Sequence, residues 1–328
     1  MAQVNAQLLA TGLFTPGLVL SNRQLIERFG LDVDEEWIVE RTGIHARHWL
    51  PPGQTTSDMA VAAAETILER AGVRAKELDR LILATISPDY ISPATATVVA
   101  RKLGARCAAF DISAACAGFI YALEAGTAAV AAGAERVLVL AADARSRFID
   151  TSDVRSVVLF ADGAAGALLG PADEPGVEAI WLGAEGRADM GAHIPAGGAL
   201  RPTSAETLAA GQHFLQVDSK REIFDLFVAY TREAVEGVLE QAKLSLTDID
   251  LFITHQGNAR MVEEVLVDLG IPPQRAMNSI AQHGNTSGAT VPMALAEAIE
   301  QGRLVAGQRV LLTSVGAGYT FGAAICRM

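Results

Sequence analysis

The chain has 328 residues, half of them hydrophobic and a fifth charged, which suits a globular protein with a large core and excludes a disordered chain. A net charge of −12 argues against nucleic acid as the main partner, while leaving room for a local basic patch that receives an acidic carrier. Three cysteines, Cys107, Cys116 and Cys326, make neither a disulfide framework nor a metal-ligand spacing, and they fit a reducing cytoplasm.

The opening "MAQVNAQLLATGLFTPG" has no basic n-region and no signal core, so a cytoplasmic chain is expected. Residues 64–85, "AETILERAGVRAKELDRLILAT", read as a helix, a turn and the short strand "RLILAT". "DISAAC" (111–116) reads as a strand end and turn, and "AGFIYALEAGTAAVAAG" as a helix with Phe119, Leu123 and Val130 on one side. The Ala-rich 122–142 stretch is broken by Glu124, Glu135 and Arg136, so no membrane span is expected. It leads into the apolar strand "RVLVLAAD". "LLGPADEPG" (168–176), with two prolines and two glycines, reads as a joint.

Beyond the joint the pattern repeats. "VEGVLEQAKLSLTDIDLFITHQ" (235–256) echoes residues 64–85 at an offset of 171, pairing Leu68 with Leu239, Glu69 with Glu240, Ala71 with Ala242 and Asp79 with Asp250. "MALAEAIEQGRLVAGQRVLLTSVG" (293–316) echoes residues 121–143 at offsets of 172–173. Two echoes at nearly one offset predict two similar α/β halves, 1–172 and 173–328.

That duplication places the polar residues. Cys116 stands ahead of the first half's repeated helix, Asn285 ahead of its counterpart, and His255 ends the strand "DLFITH". All three fall at strand ends or helix starts, where α/β folds collect their chemistry. A helix N-terminus lowers a thiol pKa, and backbone N–H groups in the same turn can hold an oxyanion. A Cys before an apolar helix is also a common small core residue, as Asn in a Gly-flanked turn is a common cap. Thr286 and Ser287 read as caps, and His283, Cys107 and Cys326 as structural. The combination of Cys, His, Asn and the Gly-rich loop "VGAGYTFG" (315–322) points to thioester chemistry: an acylated Cys, with His and Asn donating to a thioester oxygen.

Six motifs carry a resemblance: "EEWIVERTGI" (35–44), "DISAACAGFIYAL" (111–123), "LFADGAAGALL" (159–169), "THQGNARM" (254–261), "HGNTSGATVPMAL" (283–295) and "GAGYTFG" (316–322). From about residue 7 to its end the chain resembles the β-ketoacyl-acyl-carrier-protein synthase III family of thiolase-fold condensing enzymes. The resemblance implies duplicated βαβαβαββ halves in a five-layer αβαβα architecture, and a homodimer. It implies an acyltransferase that needs no cofactor. Cys116 takes the acyl group of an acyl-CoA primer. Malonyl-acyl-carrier protein then decarboxylates, with His255 and Asn285 on its thioester oxygen, and condenses with the acyl-Cys to a β-ketoacyl product. The backbone N–H groups of Cys116 and Ala317 form the oxyanion hole. Trp37 and Arg41 meet the adenine end of CoA, Asn258 the pantetheine, and Arg260 the carrier.

Departures from the family pattern bear on primer and CoA. "TSDVRS" has Val154 where an Arg is common, with Arg155 one place on. The segment 217–224, "VDSKREIF", is longer and more polar than usual, and Val315 replaces a Phe. Ser92, in "DYISPAT", stands where an aromatic commonly reaches across the dimer toward the primer pocket. Two other readings stay open. One is a relative in a specialised pathway that uses a bulky, polar or dicarboxyl acyl-CoA or another acceptor. The other is a non-catalytic partner subunit.

Overall fold

The structure, a computed structural model, describes residues 5–217 and 220–328. Two sheets form its frame. The first runs in the order Asn5–Phe14, Asp162–Ala172, Val137–Ala144, Arg80–Ala84, Ala108–Ile112. The second runs Val177–Ala184, Thr320–Arg327, Arg309–Gly316, Leu251–Thr254, with a lone parallel bridge from Phe252 to Ala276 in the fifth place. Directions match as well: in each sheet, in the order given, the first two pairings are antiparallel and the third is parallel. The first sheet draws only on residues 5–172 and the second only on 177–327.

Helices complete five layers. Thr56–Ala71 and Thr95–Leu103 cover the outside of the first sheet, and Lys220–Ala242 and Ala259–Asp268 the outside of the second. Gly118–Ala131 and Thr290–Glu300 lie between the sheets and touch both. Phe119, Leu123 and Val130 are fully buried, as the apolar spacing predicts. The helix is not one-sided, however: Ile120, Ala122, Gly126 and Ala129 are buried too, because a sheet presses on each face. The close approach of the first sheet explains the glycine in the middle of the helix. A Cβ on Gly126 would lie 2.6 Å from Val139 Cγ2 and 2.8 Å from Leu169 Cδ1.

The copies meet at two matching turns. Ala115–Ala117 precedes one central helix and Ser287–Ala289 the other, both 3₁₀ and 172 residues apart. Each opens on a non-glycine residue in the left-handed region, Ala115 at φ 46° and Ser287 at φ 57°. Such backbone costs about 1–3 kcal/mol and persists only where the surroundings fix it. Here Asp143, on a first-sheet strand, accepts from the Gly288 N–H of the second turn. Among the described residues no helix is long and apolar enough to cross a membrane. In the 217–224 segment Asp218 and Ser219 lie outside the described residues.

Candidate active site

The two turns open on a cavity of about 880 Å³, a size typical of small-ligand sites. Cys116 lies half-buried in its wall. Its turn is held from behind by the second sheet: Ser314 Oγ donates to the Cys116 carbonyl at 2.7 Å and Thr320 Oγ1 to the Ala114 carbonyl at 2.7 Å. Gly316, at the end of the strand Arg309–Gly316, makes that approach possible. A Cβ there would sit 2.7 Å from the Cys116 nitrogen and 2.9 Å from Ala115 Cβ. Ala317 follows, also in the cavity wall.

The helix-start position predicts a lowered thiol pKa. Burial overrides it and pushes the Cys116 thiol up to about 11, with the Ser287 hydroxyl and the Arg145 charge pulling the other way. Ser287 Oγ stands 3.7 Å from Sγ. The serine therefore meets the Cys116 thiol instead of capping the helix, and Thr286 offers no cap either. Cys326 is buried in a strand with its thiol pushed up to about 12, and Cys107 is half-buried and raised.

His255 ends its strand as the pattern predicts and is buried. Burial lowers its pKa to about 3, so the ring is neutral throughout the working range. Nδ1 lies 2.6 Å from Thr290 Oγ1, which is also 3.1 Å from the Ser287 carbonyl. The single hydroxyl proton serves one of these at a time. Donated to Ser287, it leaves Nδ1 protonated and Nε2 a free acceptor; donated to Nδ1, it leaves Nε2 as a donor. Asn285 Oδ1 accepts from the Ser287 N–H at 2.9 Å, and its Nδ2 donates to the Gly257 carbonyl at 3.3 Å. This fixes the amide orientation. His255 Nε2 and Asn285 Nδ2 lie 3.1 and 3.9 Å from the point where a Gly257 Cβ would stand, so the two groups border one small space.

The mouth carries the other residues singled out in the sequence. Asp34 caps the helix Glu35–Thr42 at the Trp37 N–H, 2.7 Å away. Arg41 lies over the Trp37 ring at 4.3 Å. Asn258 Nδ2 donates to the Arg41 carbonyl and Arg260 Nε to the Glu40 carbonyl, so this pair ties two mouth helices together. Arg155 lines the cavity and pairs with Asp153 at 2.9 Å, whereas Val154 packs into a neighbouring apolar cluster. Val315 lines the cavity and is buried. Ser92 does not reach it; within one chain it sits exposed on the loop 90–93. Gly316 opens the Gly-rich loop picked out in the sequence, whereas sequence patterns did not single out Thr290 or Arg145, a buried guanidinium in the same cavity.

A thiol on one copy and a neutral His and an Asn on the other, between two sheets of identical order, define a thiolase-fold condensing enzyme. The model of 3-oxoacyl-[acyl-carrier-protein] synthase III matches residues 110–186, and the model of its C-terminal part matches 239–328. A β-ketoacyl-[acyl-carrier-protein] synthase III of Solibacter usitatus is 39% identical, covering 98% of each chain. The crystal structure of 3-oxoacyl-[acyl-carrier-protein] synthase III from Aquifex aeolicus superposes with a TM-score of 0.89 at 34% identity, over 99% of this chain and 100% of that one. The priming β-ketosynthase of the R1128 polyketide pathway superposes at 0.90 with 31% identity, over 99% and 97%. The chain belongs to the β-ketoacyl-acyl-carrier-protein synthase III family.

Proposed function

We propose that this chain condenses an acyl-CoA primer with malonyl-acyl-carrier protein through an acyl-Cys116 intermediate. The observation that carries the reading is the convergence of Cys116, His255 and Asn285 on one cavity, with the Cys116 N–H held open by Gly316. In acylation Cys116 Sγ attacks the thioester carbon, the amides of Cys116 and Ala317 hold the oxyanion, and CoA leaves with the thiol proton. With Thr290 turned to Ser287, neutral His255 offers Nε2 as base. Before the second stage the ring gives its Nδ1 proton to solvent and takes one on Nε2, and Thr290 turns to donate to Nδ1. His255 Nε2 and Asn285 Nδ2 then both donate to the malonyl thioester oxygen as carbon dioxide leaves, and the resulting carbanion attacks the acyl carbon and displaces Cys116 Sγ as thiolate.

Trp37 and Arg41 receive the adenine end of CoA, Asn258 the pantetheine, and Arg260 the acidic carrier protein. The working unit is a homodimer. Ala108–Ile112 is an edge strand with Phe110 partly exposed, and Ile91 on the nearby loop is 89% exposed. Both features suit burial against a second copy. In that dimer Ser92 faces the partner's primer pocket, which Val315 lines from within. A non-catalytic role does not fit a thiol, an imidazole and an amide all held in place by their own hydrogen bonds.

Mass spectrometry after mixing with acyl-CoA tests the reading. One acyl adduct on Cys116 is expected, lost in Cys116→Ala, followed by carbon dioxide release on adding malonyl-carrier protein. An adduct that persists in Cys116→Ala refutes the nucleophile, and sedimentation as a monomer at micromolar concentration refutes the dimer.

A further inference from the structure

Arg145 is the unexplained charge of the cavity. It follows the strand Val137–Ala144, is 2% exposed, and lines the same cavity as Cys116. Among the described residues its guanidinium has no hydrogen-bond or ion-pair partner, and its Nε is buried and unsatisfied. Its one neighbour of note is the Phe160 ring, 5.5 Å from Cζ. Among the described residues the other deeply buried arginine, Arg47, also leaves its Nε unpaired, but its two terminal nitrogens donate to the carbonyls of Leu20 and Val158.

Nearby carboxylates are already engaged. Asp143 accepts from Thr85 Oγ1, the Ile86 N–H, Ser87 Oγ and the Gly288 N–H. Asp162 accepts from the Leu50 N–H and from Ser146. In the cavity wall, Asp150 is held by Ser152, and Asp153 by Arg155 and Ser156. A buried guanidinium without a counter-ion is costly, and an anion that enters the cavity relieves the cost. With the Phe160 ring against it, the guanidinium keeps its N–H edge for a planar, two-oxygen acceptor, the geometry of a carboxylate.

Resting on the condensing-enzyme reading above, we infer that Arg145 selects the primer, and that the acyl group delivered to Cys116 carries a carboxylate at its far end: the substrate is the CoA monothioester of a short dicarboxylic acid. The transfer is otherwise ordinary. A bond forms from Cys116 Sγ to the thioester carbon, the bond from that carbon to the CoA sulfur breaks, the thiol proton goes to CoA, and the distal carboxylate stays ionised against Arg145. The malonyl group of the second substrate is the other anion that enters, but a cation holding its carboxylate would oppose the loss of carbon dioxide.

The test is the rate of Cys116 acylation, read by mass spectrometry with no malonyl-carrier protein present. Length-matched pairs are compared: succinyl- against pentanoyl-CoA, and glutaryl- against hexanoyl-CoA. In the parent the carboxylated member of at least one pair is expected to react about 10- to 100-fold faster, as a charge-assisted hydrogen bond predicts. Arg145→Leu is expected to reverse that ratio and Arg145→Lys to give an intermediate one. The ratio is the readout because removing the charge raises the thiol pKa and slows all donors alike. Neutral donors that react as fast as their carboxylated partners in the parent overturn the inference and leave the condensing reading intact. So does a ratio unchanged in Arg145→Leu. If Arg145→Leu does not fold, the parent ratio and Arg145→Lys decide. Failure of every acyl-CoA to label Cys116 overturns both.

Discussion

Gly316→Ala tests the proposed oxyanion hole without replacing any of the proposed catalytic side chains. The new methyl would meet the Cys116 nitrogen at 2.7 Å, Ala115 Cβ at 2.9 Å and the Ala114 carbonyl oxygen at 3.0 Å. Comfortable contact needs about 3.5 Å, so strand end and turn must separate by roughly 0.5–0.8 Å. None of the three atoms belongs to a flexible side chain. The Ser314 and Thr320 bonds to the turn resist the movement. An error of this size at reacting atoms costs about 10²-fold, and loss of one oxyanion donor about 10²- to 10³-fold. Cys116 acylation by acyl-CoA should therefore fall about 10²-fold, with about 1–3 kcal/mol of overpacking seen in denaturant unfolding. Gly17→Ala is the control, because nothing lies within 4 Å of its Cβ position, and it should leave both measurements unchanged. Acylation within about threefold of the parent in Gly316→Ala, with unchanged stability, would refute the placement of the Cys116 N–H as an oxyanion donor.

His255→Ala and Asn285→Ala should each lower carbon dioxide release from malonyl-carrier protein by about 10²-fold or more, and acylation by less; equal losses in the two assays would contradict the division of labour. With a thiol near 11, alkylation of Cys116 by iodoacetamide should rise about tenfold per pH unit from pH 7 to 10, and a plateau below pH 9 would contradict the burial effect. Ser287→Ala removes a hydrogen bond that favours the thiolate, so the same profile should shift to higher pH. Ser92→Phe should slow acylation by hexanoyl-CoA relative to acetyl-CoA if the residue meets a partner's pocket, and an unchanged ranking of donors would remove it from the primer site.

The duplication was legible because helix–turn–strand units preserve apolar spacing and turn residues through 171–173 positions, and the positions of Cys116 and Asn285 ahead of the repeated helices, and of His255 at the end of an apolar strand, were legible from the same pattern. Other features depend on distances between segments remote in sequence. The two-sided burial of Gly118–Ala131 follows from a second sheet whose first strand begins at Val177, remote in the chain. Ser287 resembles an N-cap in sequence, and only the meeting of two turns aims it at Cys116. The thiol's rise to about 11 is a matter of enclosure, which a helix-start pattern cannot express. Arg145 lies in "ADARSRF", where two arginines one residue apart suggest a solvated run; the fold buries one, and the other, Arg147, donates to the carbonyls of Leu50 and Pro51.

The paired turns bear on redox behaviour. Ala115 and Ser287 occupy matching places, so the residue matching Cys116 is Gly288. Gly288 carries no side chain, a Cβ there would face the Ala115 carbonyl and Asp143, and its N–H donates to Asp143. The remaining cysteines are sequestered elsewhere, Cys326 within a strand of the second sheet and Cys107 beside the outer helices of the first. Cys116 therefore has no resolving thiol within its own cavity, and a peroxide that reaches it carries it along the sulfenic, sulfinic and sulfonic series instead of into a reversible internal bridge.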